Sequence, residues 1–339
     1  MSKLKVGLNG FGRIGRAVTR IAESNETFEI AHINTRKTPN KMLAYLLKYD
    51  SVYRTFSKPV KALEDGIEIN GRKITTSLSH EPSQIPWEQS GVDIVIDATG
   101  AFTKKEQLVA HLKGSVKKVI LSAPAKDKET THVVLGVNDD TIDFQKETVF
   151  SNASCTTNCA APLFKVLHKH FTVIRGYLTT AHAYTQSQSL LDDAGKNEER
   201  SRAAGLNIIP ATTGAAKAVC KVIPELKGKM NGIALRVPVP TGSFVDISAI
   251  VEKSTTPEEI NNVFKEESDG PMKRILGYCE DVIVSSDIIG STYSSIFDPH
   301  YTDVVDGTFV KIYAWYDNEW GYSCRLVDLV EKLNVAYYV

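Results

Sequence analysis

Apolar and polar positions divide this chain into two stretches of different rhythm. Residues 3–8 alternate as a strand and run into Gly10-Phe11-Gly12-Arg13-Ile14-Gly15. Val18, Ile21 and Ala22 then form a helical stripe, and residues 28–33 read as a second strand. Strand, glycine turn, helix and strand within about 30 residues make a βαβ unit. Residues 40–49 predict a helix with Met42, Leu43, Leu46 and Leu47 on one face. Residues 66–74 predict a small hairpin with Asn70-Gly71 at its tip, a strong turn signal. The runs at 93–97, 119–122 and 132–135 are almost continuously apolar, as strands buried on both faces of a parallel sheet are. Residues 1–154 are therefore expected to form a doubly wound α/β domain of the Rossmann, dinucleotide-binding type.

The rhythm changes after that. Strands are predicted at 174–181, 233–237, 245–251, 282–285 and 308–315, with longer polar connections and a helix at 257–267. This pattern predicts a separate α+β catalytic domain, residues 155–318, built on a mixed or antiparallel sheet. A last helix at 324–333 carries Leu326, Val327, Val330 and Leu333 on one stripe, which must pack somewhere.

Composition narrows the function classes. Of 339 residues, 42% are hydrophobic and 24% charged, and the net charge is zero. That builds cores and gives no net field calling for nucleic acid or an acidic membrane. The basic cluster at 113–118 is broken by glycine and valine and reads as a solvated helix end and turn. No apolar run approaches the ~18 residues of a membrane span. The N-terminal pattern lacks the apolar region of a signal peptide. The five cysteines are odd in number and scattered, unlike a disulfide framework, and predict reduced thiols in a cytoplasmic setting.

Four features carry chemistry. Gly10 and Gly12 let the backbone approach a pyrophosphate, and Gly15 lets the helix pack on its strand. Ser151-Asn152-Ala153-Ser154-Cys155-Thr156-Thr157-Asn158-Cys159 precedes a helical stretch from Ala160 to His170. Cys155 is thus expected near a helix N-terminus, where the dipole favours thiolate, with the Ser154 and Thr156 hydroxyls beside it able to bind an anion. Cys159, one turn in, is expected to be inert packing, and no second cluster completes a metal site with it. Cys220, Cys279 and Cys324 lack polar neighbours in sequence and are read as structural. His182, at a predicted strand end, is the candidate base for Cys155; His170 reads as a solvated helix end. Residues 210–217 form a small-residue loop into a helix, either a phosphate cradle or a plain N-cap. Arg236 interrupts an apolar strand, where a cation is more often functional or paired than solvated.

Together these residues resemble the glyceraldehyde-3-phosphate dehydrogenase family over nearly the whole chain. The matching motifs are NGFGRIGR from Asn9, ATG at 98–100, SNASCTTNC from Ser151, HAYT from His182, TTGAAKAV from Thr212, RVPVP from Arg236 and WYDNEWGYS from Trp315. The resemblance implies Cys155 as nucleophile and His182 as its base. It implies Thr185 and Arg236 as holders of the phosphate of a phosphorylated aldehyde. Ser154, Thr156, Thr213 and Gly214, with Arg200, would receive the attacking inorganic phosphate. Arg13, Ile14, Ser122 and Asn318 would contact the cofactor with Gly10 and Gly12. It further implies that residues 319–339 return to the first domain and that the assembly is a homotetramer.

The chain also departs from the family pattern. Most NAD-using relatives carry an acidic residue after the second strand; here the stretch is Ile33-Asn34-Thr35-Arg36-Lys37. With no carboxylate to repel a 2′-phosphate, and with Thr35 and Arg36 to bond it, NADP is expected to be favoured over NAD. An arginine of the family's cofactor pocket is replaced by His80, and a Leu-Pro pair near the adenosine reads Asp193-Ala194. The rival readings are erythrose-4-phosphate dehydrogenase, disfavoured by the TTGAAKA loop, and a dinucleotide-binding regulator, which would not need Cys155, His182 and Arg236 together.

Overall fold

The structure is a computed structural model that describes residues 3–195 and 197–338. The chain divides into two compact units. One comprises Met1–Val133, Thr141–Ala153 and Ser323–Val339; the other comprises Val134–Asp140 and Ser154–Tyr322.

In the first unit, β1 (Leu4–Asn9), α1 (Arg13–Ala22), β2 (Phe28–Thr35) and α2 (Asn40–Lys48) lead into β3 (Val60–Leu63), β4 (Gly66–Ile69) and β5 (Arg72–Leu78). After β6 (Ile94–Asp97) come α3 (Lys105–Leu108), β7 (Lys118–Leu121), β8 (Thr131–His132) and β9 (Val149–Ser151). Among the described residues these strands form one sheet in the order β3-β4-β5-β2-β1-β6-β7-β9-β8. It is parallel from β5 to β8, with an antiparallel edge at β3 and β4. Because β2 and β6 flank β1 on opposite sides, the chain reverses direction across the sheet at β1. The carboxyl end of such a strand is where doubly wound sheets receive ligands. Asn70 and Gly71 both have positive φ, 51° and 83°, as a two-residue hairpin turn requires.

The second unit holds α4 (Cys155–Phe171), β10 (Val173–Ala183), β11 (Ile209–Thr212), α5 (Ala215–Val222), β12 (Met230–Val237), β13 (Ser243–Val251) and α6 (Pro257–Asp269). β14 (Leu276–Tyr278), β15 (Ser295–Val305), β16 (Phe309–Tyr316) and α7 (Trp320–Tyr338) follow, and α7 groups with the first unit from Ser323 onward. The sheet order is β11-β12-β10-β13-β16-β15-β14. β10 pairs with β12 in parallel and with β13 antiparallel, so the sheet is mixed. The architecture is a Rossmann α/β sheet plus an α+β unit.

Several sequence expectations need correction. Residues 282–285 are not a strand: Val282 and Val284 are exposed, Val284 is tied into a turn with Asp287, and the strand pairing falls to β14 and β15 on either side. Of the run at 132–135 only His132 lies in a strand, the two-residue β8. Met42 is exposed, because α2 buries Leu43, Ala44 and Leu47 instead. Lys118 is not solvated; it opens β7, buried, with its ammonium donating to the carbonyls of Gln145 and Glu147 at 2.8 and 2.5 Å. His170 likewise is no free helix end, since its Nε2 lies 3.0 Å from Glu267. The loop at 210–217 is partly the edge strand β11. No helix is long and apolar enough to cross a membrane among the described residues.

Candidate active site

The second unit assembles its reactive groups where α4 meets the ends of β10 and β12. Ser154 caps α4, accepting a hydrogen bond from the Thr157 N–H at 3.0 Å, so Cys155 is the first helical residue. Ala153 precedes the cap at φ 54°, a left-handed conformation that costs a residue with a Cβ and is found where function constrains the turn. The next-to-last residue of β10 is His182, whose Nε2 lies 3.4 Å from the Cys155 Sγ across 27 positions of sequence. Parallel pairing sets His182 beside Arg236 of β12. Arg236 Nη1 lies 2.6 Å from His182 Nδ1 and donates to the Ala183 carbonyl at 3.0 Å. Behind them the Tyr316 hydroxyl bridges Thr156 Oγ1 and Thr180 Oγ1 at 2.9 and 3.0 Å.

Electrostatics make this a neutral pair beside a bare cation. Burial pushes the Cys155 thiol up, against the opposing pull of the Arg236 charge and of the Thr156 hydroxyl and N–H. Desolvation of a thiolate here opposes the pull of the helix terminus expected from the sequence. Burial and then Arg236 depress His182 to about 3, with Arg200 adding to the effect. His182 is thus a neutral imidazole near pH 7; the tautomer whose Nδ1–H donates to the Ala183 carbonyl at 2.7 Å leaves Nε2 bare to take a proton. Burial lowers Arg236 as well. No carboxylate pairs with Arg236 among the described residues, and its Nε is buried without a partner. A desolvated guanidinium without a counter-ion favours an anion.

The other sequence candidates fall into groups. Arg200 Nη1 donates to Ser187 Oγ at 2.9 Å, and Ser187 Oγ lies 2.9 Å from Thr185 Oγ1. Ser187 joins two predicted phosphate residues, and nothing in the sequence singled it out. Thr213 and Gly214 lie at the start of α5; Thr213 Oγ1 accepts from the Ala215 N–H at 3.1 Å, and Gly214 has open space where a Cβ would stand. No hydrogen bond ties either to Cys155 or His182. Asn318, buried, accepts three hydrogen bonds on Oδ1.

The first unit supplies a dinucleotide cradle. Gly10 has φ 99°, and a Cβ there would stand 2.9 Å from the Ala98 backbone. Gly12 caps α1 with no side-chain partner for the helix N–H groups, and a Cβ on it would meet nothing within 4 Å, leaving room for a ligand. Arg13 points elsewhere, paired with Asp50 and stacked over Tyr53, while Ile14 is half-buried in the first turn. Ser122 Oγ is buried with no partner, an orphaned donor that fits a missing contact. Thr35 is buried with its hydroxyl 3.3 Å from the Thr38 N–H, and Arg36 and His80 are exposed. Open glycines, free helix N–H groups and an orphaned hydroxyl together fit a dinucleotide phosphate.

Cys220 and Cys279 do have polar partners: Cys220 lies 3.1 Å from the Leu226 carbonyl and Cys279 lies 2.8 Å from that of Asp281. Cys159 lies 3.4 Å from Ser295 Oγ, and burial pushes its thiol up to about 12. All five cysteines are free thiols.

Comparison with known proteins agrees with this geometry. Residues 4–105 match the glyceraldehyde 3-phosphate dehydrogenase NAD binding domain, and residues 154–318 match the C-terminal domain of the same family. The chain is 50% identical over 326 residues to glyceraldehyde-3-phosphate dehydrogenase of Geobacillus stearothermophilus, covering 96% of this chain and 97% of that one. It is 51% identical over 325 residues to glyceraldehyde-3-phosphate dehydrogenase 1 of Bacillus cereus, again covering 96% and 97%. Against the enzyme of the fungus Claviceps purpurea it is 48% identical over 328 residues, covering 96% of each. This chain belongs to the glyceraldehyde-3-phosphate dehydrogenase family.

Proposed function

We propose that this protein oxidises glyceraldehyde 3-phosphate to 1,3-bisphosphoglycerate, reversibly, through a thioester on Cys155. The observation that carries the reading is Cys155 Sγ at 3.4 Å from a neutral His182, with the unpaired Arg236 cation behind it. The unit carrying the glycine turn is the dinucleotide-binding domain in this reading, and the unit of α4 is the catalytic domain.

His182 Nε2 takes the Cys155 proton as the sulfur adds to the aldehyde carbon. The backbone N–H of Cys155, free at the start of α4, and His182 stabilise the resulting oxyanion. A bound nicotinamide supplies a two-electron acceptor for the hydride leaving that carbon. Cys155 then holds the acyl group as a thioester. Inorganic phosphate attacks the thioester carbonyl, the C–S bond breaks, and the acyl phosphate leaves with Cys155 regenerated. Arg236 and Thr185 bind the substrate's own phosphate. Ser154, Thr156, Thr213, Gly214 and Arg200 receive the inorganic one. Gly10, Gly12, Arg13, Ile14 and Ser122 bind the dinucleotide, and Asn318 binds the nicotinamide amide. The active assembly is a homotetramer, testable by light scattering, and works in the cytoplasm.

NADP is the favoured cofactor in this reading. Thr35 stands where a carboxylate would repel a 2′-phosphate, and exposed Arg36 and Lys37 follow it. One or two charge-assisted hydrogen bonds of about 1.5–3 kcal/mol give roughly 10- to 100-fold preference. Initial rates with both cofactors, on glyceraldehyde 3-phosphate and on erythrose 4-phosphate, test the assignment. Cys155→Ser should abolish phosphate-dependent turnover while leaving cofactor binding intact. Thr35→Asp with Arg36→Leu should reverse the cofactor ratio. A wild type strongly favouring NAD would refute the NADP assignment alone; faster turnover of erythrose 4-phosphate would refute the substrate.

A further inference from the structure

At the start of β13 the Ser243 hydroxyl, almost wholly buried, stands between two parts of the site. It accepts the Ala183 N–H at 3.1 Å, at the end of the strand that carries His182. Its own proton is then available only to Asn318 Oδ1, 2.9 Å away. Gly242 N–H reaches the same oxygen at 3.2 Å, and the one Thr241 hydroxyl proton is shared between it and Asp317 Oδ1, each 3.3 Å away. Gly242 N–H can only donate, so this atom of Asn318 must be the oxygen and not the nitrogen. The turn that aims the N–H depends on glycine: φ is 87°, and a Cβ would stand 2.3 Å from the Ser285 carbonyl oxygen. Asn318 is 5% exposed, and no described residue accepts from its Nδ2. With its oxygen saturated by three donors and its NH₂ not enclosed by protein, the amide can only donate, toward accessible space.

We propose that Ser243 is a positioning residue for hydride transfer: with Gly242 and Thr241 it locks the Asn318 amide as a pure donor toward the carbonyl oxygen of the cofactor's nicotinamide amide. The proposal rests on the assignment of Asn318 to the cofactor made above. By holding Ala183 with the same hydroxyl, Ser243 gives the nicotinamide contact and the His182 strand a common anchor.

The test is a double-mutant cycle on the intact enzyme, with Ser243→Ala, Asn318→Ala and the pair together. Each single variant should raise the cofactor KM by about five- to tenfold, the worth of one net hydrogen bond. Each should also enlarge the primary isotope effect on oxidation of the 1-deuterated aldehyde. The pair should be no worse than Asn318→Ala alone. ADP-ribose, which has no nicotinamide, should bind all three variants like the wild type. Full additivity, or equal losses for ADP-ribose and the cofactor, would overturn the proposal and leave Asn318 as a cofactor residue. An Asn318→Ala enzyme with unchanged cofactor constants would overturn the Asn318 assignment itself. Should Ser243→Ala not fold, Thr241→Val removes the weakest of the three donors and should reproduce the same pattern at smaller amplitude.

Discussion

Arg236 has two tasks at the scale of single residues, and they can be separated. In the proposed function it offers an uncompensated cation to a phosphate, and its charge depresses the neighbouring His182. Arg236→Leu should therefore cut kcat/KM for glyceraldehyde 3-phosphate by at least tenfold more than for unphosphorylated glyceraldehyde. The same change removes a positive neighbour from His182, so the His182 pKa should rise from about 3. With the unphosphorylated substrate, the acid limb of the pH–rate profile should move to higher pH in Arg236→Leu. An unmoved limb with equal losses on both substrates would make Arg236 structural. His182→Asn should slow acylation by roughly 10²–10⁴-fold, the usual contribution of a positioned base. Single-turnover rates would show it as loss of the burst.

Two helix starts allow fold and function to be told apart at the scale of elements. Ser154 caps α4 and Thr256 caps α6, each by accepting a backbone N–H at the third helical position. Replacing either by alanine should cost about 0.5–2 kcal/mol of stability, read as a shifted urea midpoint. Only Ser154→Ala should also raise the KM for inorganic phosphate. The glycine turn after β1 offers a sharper contrast. Gly10→Ala collides with the Ala98 backbone and demands a φ that alanine resists, so it should unfold the turn. Gly12→Ala meets no protein atom within 4 Å, so the fold should tolerate it. If a dinucleotide phosphate lies against Gly12, calorimetry on that variant should show cofactor affinity lost with thermal stability retained. Unchanged affinity would mean that the open space serves no ligand.

Over the whole molecule, two buried histidines make stability depend on pH. His32, between Thr75 and Ser77, is lowered by burial to about 4. His182 is lowered to about 3. Both titrate at the ordinary 6.5 once unfolded. Between about pH 4 and 6.5 the unfolded chain therefore binds protons that the native chain refuses. The stabilisation is fully present above pH 6.5 and is lost as pH falls toward the native values. At about 1.4 kcal/mol per unit of pKa, each histidine should cost about 2 kcal/mol between pH 6.5 and 5. Urea midpoints at pH 7.5 and 5 measure this. His32→Gln, though less stable at neutral pH, should show a shallower dependence.

What the sequence determined by itself was mostly local. Gly10, Asn70-Gly71 and the Ser154 cap impose backbone geometry on their immediate neighbours, and the apolar runs at 93–97 and 119–122 state their own burial. The motif around Cys155 was legible because a cysteine at a helix start is written in consecutive residues. Tertiary structure decided what depends on partners distant in sequence. The strand expected at 282–285 failed because an apolar run cannot say whether an edge will pair it. Lys118 was misjudged because its acceptors lie on a segment nearly thirty residues away. Burial at Cys155 opposes the thiolate that a helix start favours, and no local pattern reports it. Ser187, Tyr316 and Ser243 looked like ordinary polar residues until β10, β13 and β16 were laid side by side. A hydroxyl's role depends on which donor it meets, and that is fixed by strand register, a property of the folded chain.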